Sequence, residues 1–361
     1  MKRFLRILLA LTVLFLAYVG ITLLLGTLGD WQPPASEEAE VVRTSDGPDV
    51  ITDSVISLAL WNIGYAGLGE ESDFFFDNGG FFTAGDHMVR PPQAYMEKNI
   101  AGARLFTSST QADFFLFQEV DRNSKRSYFI DQGDTLANQR PDYAAAFAAN
   151  YQVSRVPLPI LTPWKAYGKV RSGLLTLSKW QPTQQTRYQL PGDFPWPDRI
   201  FQLDRCLLES RFKTSSGKEL VVINAHLSAY DKGGTLKKQQ MAFLQEFVQA
   251  EYAKGNYVIV GADWNQCPPY FEFDRFMPGQ SQGYTQTTIA EDFLPGGWQW
   301  LYDASLPTNR KLRAPLDDYS FRTLIDFYLV SPNIRAKRVK TLDQQFRFSD
   351  HQPVWVQVEL L

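Results

Sequence analysis

The chain has 361 residues, 44% apolar and 21% charged, a balance that excludes a disordered polymer and provides for a sizeable core. Its formal net charge of -3 offers no general attraction to phosphate backbones, which argues against non-specific nucleic-acid binding. The 2 cysteines, Cys206 and Cys267, are too few for a disulfide framework and lack zinc-site spacing, though one bridge between them stays open.

At the N-terminus Lys2, Arg3 and Arg6 precede the uncharged run ILLALTVLFLAYVGITLLLG (7–26), long enough to cross a bilayer. Positive charge before the run and none just after predicts a cytoplasmic N-terminus with the body of the chain outside. An uncleaved signal anchor is expected over 1–27. A cleaved signal peptide is the competing reading, but no small-x-small cleavage site follows the run. Residues 28–54, polar and carrying Pro, Gly and Ser, read as a flexible linker, and 55–361 as one domain.

Short apolar runs in that domain read as strands buried on both faces: VISLALWNI (55–63), ADFFLFQEV (112–120), SGLLTLSKW (172–180), ELVVINAHL (219–227), NYVIVGADWN (256–265) and TLIDFYLVS (323–331). A last strand begins at Val354. Helices are expected around 93–106 and over 236–254, where Met241, Leu244, Phe247 and Val248 follow helical spacing before Gly255. Strands dominate, and only some are separated by helices. That pattern fits sheets covered by helices on their outer faces, not an alternating barrel.

The polar residues gather where these runs end. Asn62, Gln118-Glu119, Asn224, His226, Asp263 and Asn265 close successive strands, Asp326 interrupts another near its start, and Asp350-His351 precedes the last. A charge inside or capping a buried strand is costly unless it is paired or metal-bound. One such group is usually a satisfied structural residue; so many strand ends carrying them point to convergence on one edge. Carboxylates and amide oxygens without thiolates suit a hard ion such as Mg²⁺ or Mn²⁺. Histidines beside carboxylates can move protons or stabilise charge at a phosphoryl centre.

The stretches WNIGY, FQEVD, SGLLTLS, INAHLS, GADWNQ, LIDFYLVS and SDHQPV occur in the order seen in the endonuclease/exonuclease/phosphatase superfamily, which the chain resembles from Val55 to Leu361. The resemblance implies an α/β (α+β) fold, a four-layered α/β/β/α sandwich of the DNase I-like type, here preceded by one transmembrane helix. It implies a metal-dependent phosphodiesterase with Glu119 as main Mg²⁺ ligand and Asn62 and Asp350 beside it. It implies that His226 contacts phosphate, that Asp263 and Asn265 orient water and phosphate, and that His351 is hydrogen-bonded to Asp326. Whether Asp263 or a histidine is the general base stays open. Two departures stand out. Ala262 separates Gly261 from Asp263 where the usual stretch is GDFN, and Gly64 stands where some members carry an extra carboxylate, which puts a second metal site in doubt.

Arg171, Arg205 and Arg322 lie beside these motifs and are candidates for phosphate contact, with salt bridges as the alternative. Aromatics crowd DFFFDNGGFF (73–82), GDFPWPDRI (192–200) and GGWQW (296–300), either as rims meeting lipid or packed under their own loops. His87 has no motif partner and reads as structural. The favoured substrate is a phospholipid or sphingolipid head group, met by an enzyme tethered outside the cytoplasm, with no obligate protein partner inferred. An extracytoplasmic DNA or RNA nuclease is the alternative, and a catalytically inactive binding module the second.

Overall fold

The computed structural model describes residues 1–78, 80, 82–229, 231, 233–281, 284 and 287–361. Two sheets face each other. The first runs Ile334–Thr341, Val354–Leu360, Val55–Asn62, Phe114–Asp121, Gly168–Ser178, Ala144–Val156 and Glu40–Arg43 from edge to edge. The second runs Ser36–Glu38, Gln184–Gln189, Cys206–Thr214, Glu219–His226, Tyr257–Asp263, Asp326–Val330 and Gln299–Leu301.

Alternation along each strand builds the layers, because successive side chains point to opposite faces. Leu58, Leu60, Phe114 and Leu116 point inward and meet Phe212, Leu220, Val222, Ile259 and Tyr328 of the second sheet. Their neighbours Trp61, Phe115 and Phe117 point outward and are covered by Met96, Ile100 and Phe106 of the Gln93–Ser109 helix. On the far side Val221, Ile223, Val258 and Val260 meet Met241, Leu244 and Val248 of the Thr235–Ala253 helix. The result is the four-layered α/β/β/α sandwich of the DNase I-like fold.

Each covering helix is the crossover between two parallel strands: Val55–Asn62 pairs in parallel with Phe114–Asp121, and Glu219–His226 with Tyr257–Asp263. A parallel pair brings two C-terminal ends to the same edge. Both pairs deliver their polar termini to the same end of the sandwich.

Two sequence expectations need correction. The segment 28–54 is not a free linker, since Ser36–Glu38 and Val50–Ile51 join the second sheet and Glu40–Arg43 the first. Its charges disguised strands that sit at or beside the sheet margins, where polar residues are tolerated and discourage further pairing. Cys206 and Cys267 are both buried free thiols, one in a strand and one in a loop, so no bridge joins them.

Two polar features inside the frame bear on stability. Asn224 donates to the carbonyls of Phe117 and Leu175 at 3.1 Å each and accepts from Gln118 at 2.6 Å, stapling the sheets together. Gln118 and Asn224 are therefore structural members of the strand-end set. Asn224→Leu strands three buried groups and is expected to cost about 3 kcal/mol, read as a lowered denaturation midpoint. Arg211 bonds Glu209, Glu219 and Glu251, tying the second sheet to its helix. Burial would raise the Glu251 carboxyl, but hydrogen bonds from Arg211, Lys254 and Asn256 outweigh it and pull it down to about 2. A depressed carboxyl contributes stability above its unfolded pKa and loses it as pH falls through the folded value. Glu251→Gln should therefore flatten the loss of stability between the ordinary glutamate range and pH 2.

The Lys2–Leu28 helix is long and apolar enough to cross a membrane, or to serve as a signal sequence. None of its residues is fully buried.

Candidate active site

His226 and Asp263 end adjacent parallel strands and stand directly opposite each other, and Asp326 starts the antiparallel neighbour in register with Asp263. From the first sheet, Asn62 ends its strand opposite Gln118, and the next residue, Glu119, sits in a β-bulge at φ 53°. That left-handed backbone is unusual outside glycine and turns the Glu119 carboxylate out of the ladder toward Asn62. The turn before Val354–Leu360 adds Asp350 and His351, held in place because Ser349 donates to the Asn62 carbonyl at 2.8 Å.

The side chains form one connected line. His351 Nδ1 lies 2.8 Å from Asp326 Oδ2, and its Nε2 lies 3.7 Å from Asp263 Oδ2. His226 Nε2 reaches the same Asp263 oxygen at 3.3 Å. Asn62 Nδ2 donates to Asp263 at 2.9 Å and to Glu119 at 3.1 Å. Asn265, at φ 49°, donates its backbone N–H to Asp263 at 3.0 Å and its amide to the Leu227 carbonyl. All but Glu119, which is half-buried, are buried.

Burial and charge push the two imidazoles apart. Burial, with Arg205 nearby, holds His226 well below the usual histidine range. Burial would also lower His351, but Asp326, Asp350 and Asp263 outweigh it and raise it to about 10. Asp263 is pulled down despite burial by both histidines, Asn62 and Asn265. At neutral pH an ionised Asp263 therefore lies between a neutral His226 and a cationic His351. His226 Nδ1 is buried with no hydrogen-bond partner among the described residues, an orphan that a ligand or water would satisfy.

A second carboxylate pair lies beside this line. Burial, then the charge of Glu119, raises Asp350 to about 7. A buried carboxylate that feels the charge of a half-buried neighbour is a fit for a hard divalent cation. Asn62 is placed differently from the sequence expectation: its Oδ1 accepts from Gly64 N–H at 3.0 Å while its Nδ2 points at Glu119. In this arrangement it positions the Glu119 carboxylate. Asp263, Asp326 and His351 also bring three donor atoms within 4.8 Å of one another. The 2.8 Å hydrogen bond takes Asp326 Oδ2 and His351 Nδ1 and leaves Asp326 Oδ1 and His351 Nε2 as further donor atoms, so the cluster can handle a proton and is also a second candidate site for a cation.

Gly64 explains the missing carboxylate. It adopts φ +51°, and a Cβ there would lie 2.9 Å from Asp350 Oδ1. Gly64→Ala is expected to cost about 1–2 kcal/mol in backbone strain and to lower kcat about 10²-fold by displacing Asp350, both measurable on the purified variant.

Of the three arginines singled out in the sequence, the structure brings only Arg205 to the cleft. Arg171 pairs with Glu40 and Gln152, and Arg322 donates to the Asp317 carbonyl at 2.9 Å. Both directions are set by strand register, which motif adjacency does not reveal. Three neighbours were missed. The Asn309 amide lies 3.1 Å from His351 Nε2. Arg310 is buried close enough to Asp350 to offset its charge. Lys237 donates to the Asn265 carbonyl at 3.0 Å and is lowered to about 8 by burial. Lys237 had a legible signal: it stands four residues before Met241 on the buried stripe of its helix.

The residues open into a cleft of about 1570 Å³. Phe74, Phe75 and Phe76 line it and also pack on one another, with Phe75 against Tyr167 at 5.9 Å. Phe81 of the same stretch lies outside the described residues. Phe194 and Pro195 line the cleft too. The GGWQW stretch does not: Trp298 packs on Tyr252 and Trp300 on Trp264. His87 bonds Asp73 at 2.6 Å inside its loop.

Several solved structures share this architecture. An endonuclease/exonuclease/phosphatase from Beutenbergia cavernae aligns with a TM-score of 0.54 at 16% identity, over 85% of this chain and 72% of its own. TDP2 from C. elegans aligns with a TM-score of 0.52 at 11% identity, over 86% of this chain and 76% of its own. The human Nocturnin catalytic domain with bound sulfate aligns with a TM-score of 0.51 at 14% identity, over 86% and 97%. At such identities the likeness shows the fold alone. No curated protein sequence matches the chain. The family model for the Endonuclease/Exonuclease/phosphatase family matches residues 60–351, a span that holds every residue of the site. The chain therefore belongs to the endonuclease/exonuclease/phosphatase family.

Proposed function

We propose that this chain is a divalent-cation-dependent phosphoester hydrolase, tethered to a membrane by its N-terminal helix with its domain outside the cytoplasm, and acting on a phospholipid or sphingolipid head group. The observation that carries the hydrolase reading is the line from Asp326 through His351 and Asp263 to His226, set beside the Glu119–Asp350 pair.

Glu119 and Asp350 would hold Mg²⁺ or Mn²⁺, which when bound neutralises charge on the phosphoryl oxygens. His351, already protonated, is a poor base; it faces the phosphoryl group as a cation, with Asp326 fixing its ring. Asp263, ionised between the two imidazoles, accepts the proton of the attacking water, and the neutral His226, 3.3 Å away, orients its carboxylate. Asn265 keeps the Asp263 carboxylate oriented, and Arg205 adds positive charge on the substrate side.

The lipid reading rests on the cleft's apolar walls. A nuclease would need a basic groove, and much of the charge in the basic runs is paired with carboxylates. Arg122 pairs with Glu40, Asp131 and Asp134, Arg126 with Asp121, and Arg335 and Lys337 with Glu359 on the far edge of the first sheet. An inactive binding module has no need of the convergent, oppositely shifted histidines.

The test offers the full chain, reconstituted with Mg²⁺, three substrates in parallel: sphingomyelin with phosphatidylcholine vesicles, single- and double-stranded DNA, and soluble bis(p-nitrophenyl) phosphate. Hydrolysis of the vesicle lipid and the soluble ester is expected. Cleavage of DNA with no lipid turnover would replace the lipid reading by the nuclease one.

A further inference from the structure

The N-terminal helix does more than hold the domain near a membrane. Its domain-side end presents Tyr18, Val19, Thr22 and Leu23 to the same cleft that ends at His226 and His351. The docking is close: a Cβ on Gly26 would meet Ile200 Cδ1 at 2.9 Å. Beyond it, Trp196 Nε1 donates to Thr27 Oγ1 at 3.1 Å, and Arg199 pairs with Asp30 at 3.3 Å. The apolar run 7–26 spans about 30 Å as a helix, the thickness of a bilayer's hydrocarbon core. The Tyr18–Leu23 face therefore lies at acyl-chain depth in the leaflet nearer the domain.

A second observation points the same way. Trp164, Trp196 and Leu161 are exposed large apolar side chains, at 74%, 56% and 51%. Trp196 stands at the helix end. Arg155 ties the Trp164 turn, through the Pro163 carbonyl, to the strand end beside Gly29. Leu161 follows Ile160, which lines the cleft. Exposed tryptophans at the end of a membrane helix match the water–lipid boundary, where an amphipathic ring is best placed.

Resting on the hydrolase reading, we propose that the anchor helix is one wall of the substrate site and that the substrate enters sideways from the leaflet. It is a phosphoester whose hydrocarbon chain stays against Val19 and Leu23 while its phosphate reaches His226 and His351. Arg205 and Lys237 of the cleft suit the phosphate; Leu158, Ile160 and Phe201, which pack in one apolar cluster, suit the chain. The cleft's volume of about 1570 Å³ exceeds the ~300–1,000 Å³ of an ordinary small-molecule site.

The test uses the full chain in phosphatidylcholine nanodiscs doped with a phosphatidylcholine that bears a diazirine near the end of one acyl chain. After irradiation, peptide mapping is expected to find label on Leu158, Ile160 and Phe201 as well as on the outward helix residues. Leu23→Trp, which fills the wall, should reduce the cleft label at least fivefold relative to label on Leu9 and Leu16, and Leu23→Ile should keep it. Label confined to the outward helix face, with bis(p-nitrophenyl) phosphate still hydrolysed, would overturn this inference and leave the hydrolase reading standing. Loss of the soluble-ester turnover in the wild-type chain would remove that reading and this inference with it.

Discussion

His351→Ala is expected to lower kcat for phosphodiester hydrolysis about 10³-fold, within the range a positioned acid–base group supplies, with a much smaller change in KM. The size follows from what one ring does. Its Nδ1 is fixed by Asp326 at 2.8 Å and its Nε2 faces Asp263 at 3.7 Å and Asp350 at 3.8 Å. Three carboxylates raise it to about 10 against the effect of burial, so it carries its charge throughout the neutral range. Alanine removes that cation from the phosphoryl centre and leaves Asp326 buried without its partner. The second effect costs stability as well, on the order of 3–5 kcal/mol for a broken buried pair, so the melting temperature must be read beside kcat. His351→Ala combined with Asp263→Asn should be little worse than either alone, because residues that act as one unit lose their joint contribution once. A double variant whose losses multiply would mean that the two groups work independently.

Glu119→Gln and Asp350→Asn are expected to abolish the response to divalent cations, with kcat down at least ~10²-fold, in line with what the loss of a coordinating group costs. The two differ without cation. Asp350 is held near 7 by burial and by Glu119, so its charge opposes folding at pH 8. A carboxyl raised in the folded state loses stability as pH climbs from the unfolded toward the folded value. Asp350→Asn should therefore melt above the wild type in EDTA and below it in excess Mg²⁺. The wild type should gain about 2.7 kcal/mol at a cation concentration of 100 Kd, seen as a rise in Tm. Cation-induced stabilisation that survives in both variants would place the ion elsewhere, most directly on the Asp263–Asp326–His351 cluster.

The layering was legible because alternation is strict where a strand is covered on both faces. Leu58 and Leu60 face one way and Trp61 the other, as the run VISLALWN requires. The convergence of Asn62, Glu119, His226, Asp263, Asp326 and Asp350-His351 was legible for a related reason. Polar residues at the ends of buried strands need a common destination. What the sequence hid depended on direction and docking. Arg171 sits beside a motif, yet its register opposite Gln152 sends it toward Glu40 at the sheet margin. Ser36–Glu38 and Glu40–Arg43 look like linker because short strands at a sheet margin tolerate charged residues, which blunt the open edge. The helix surface at Tyr18, Val19, Thr22 and Leu23 gives no pattern either, since a membrane-spanning run is apolar all round and conceals which face is docked.

The most direct test of the site is Mg²⁺-dependent turnover of bis(p-nitrophenyl) phosphate by the full chain and by Asp263→Asn. This residue is joined to His226, His351, Asn62 and Asn265, and it belongs to no part of the lipid argument. The account predicts turnover that EDTA abolishes and that falls about 10³-fold or more in the variant. Turnover unchanged by EDTA, or equal in Asp263→Asn and wild type, would contradict it.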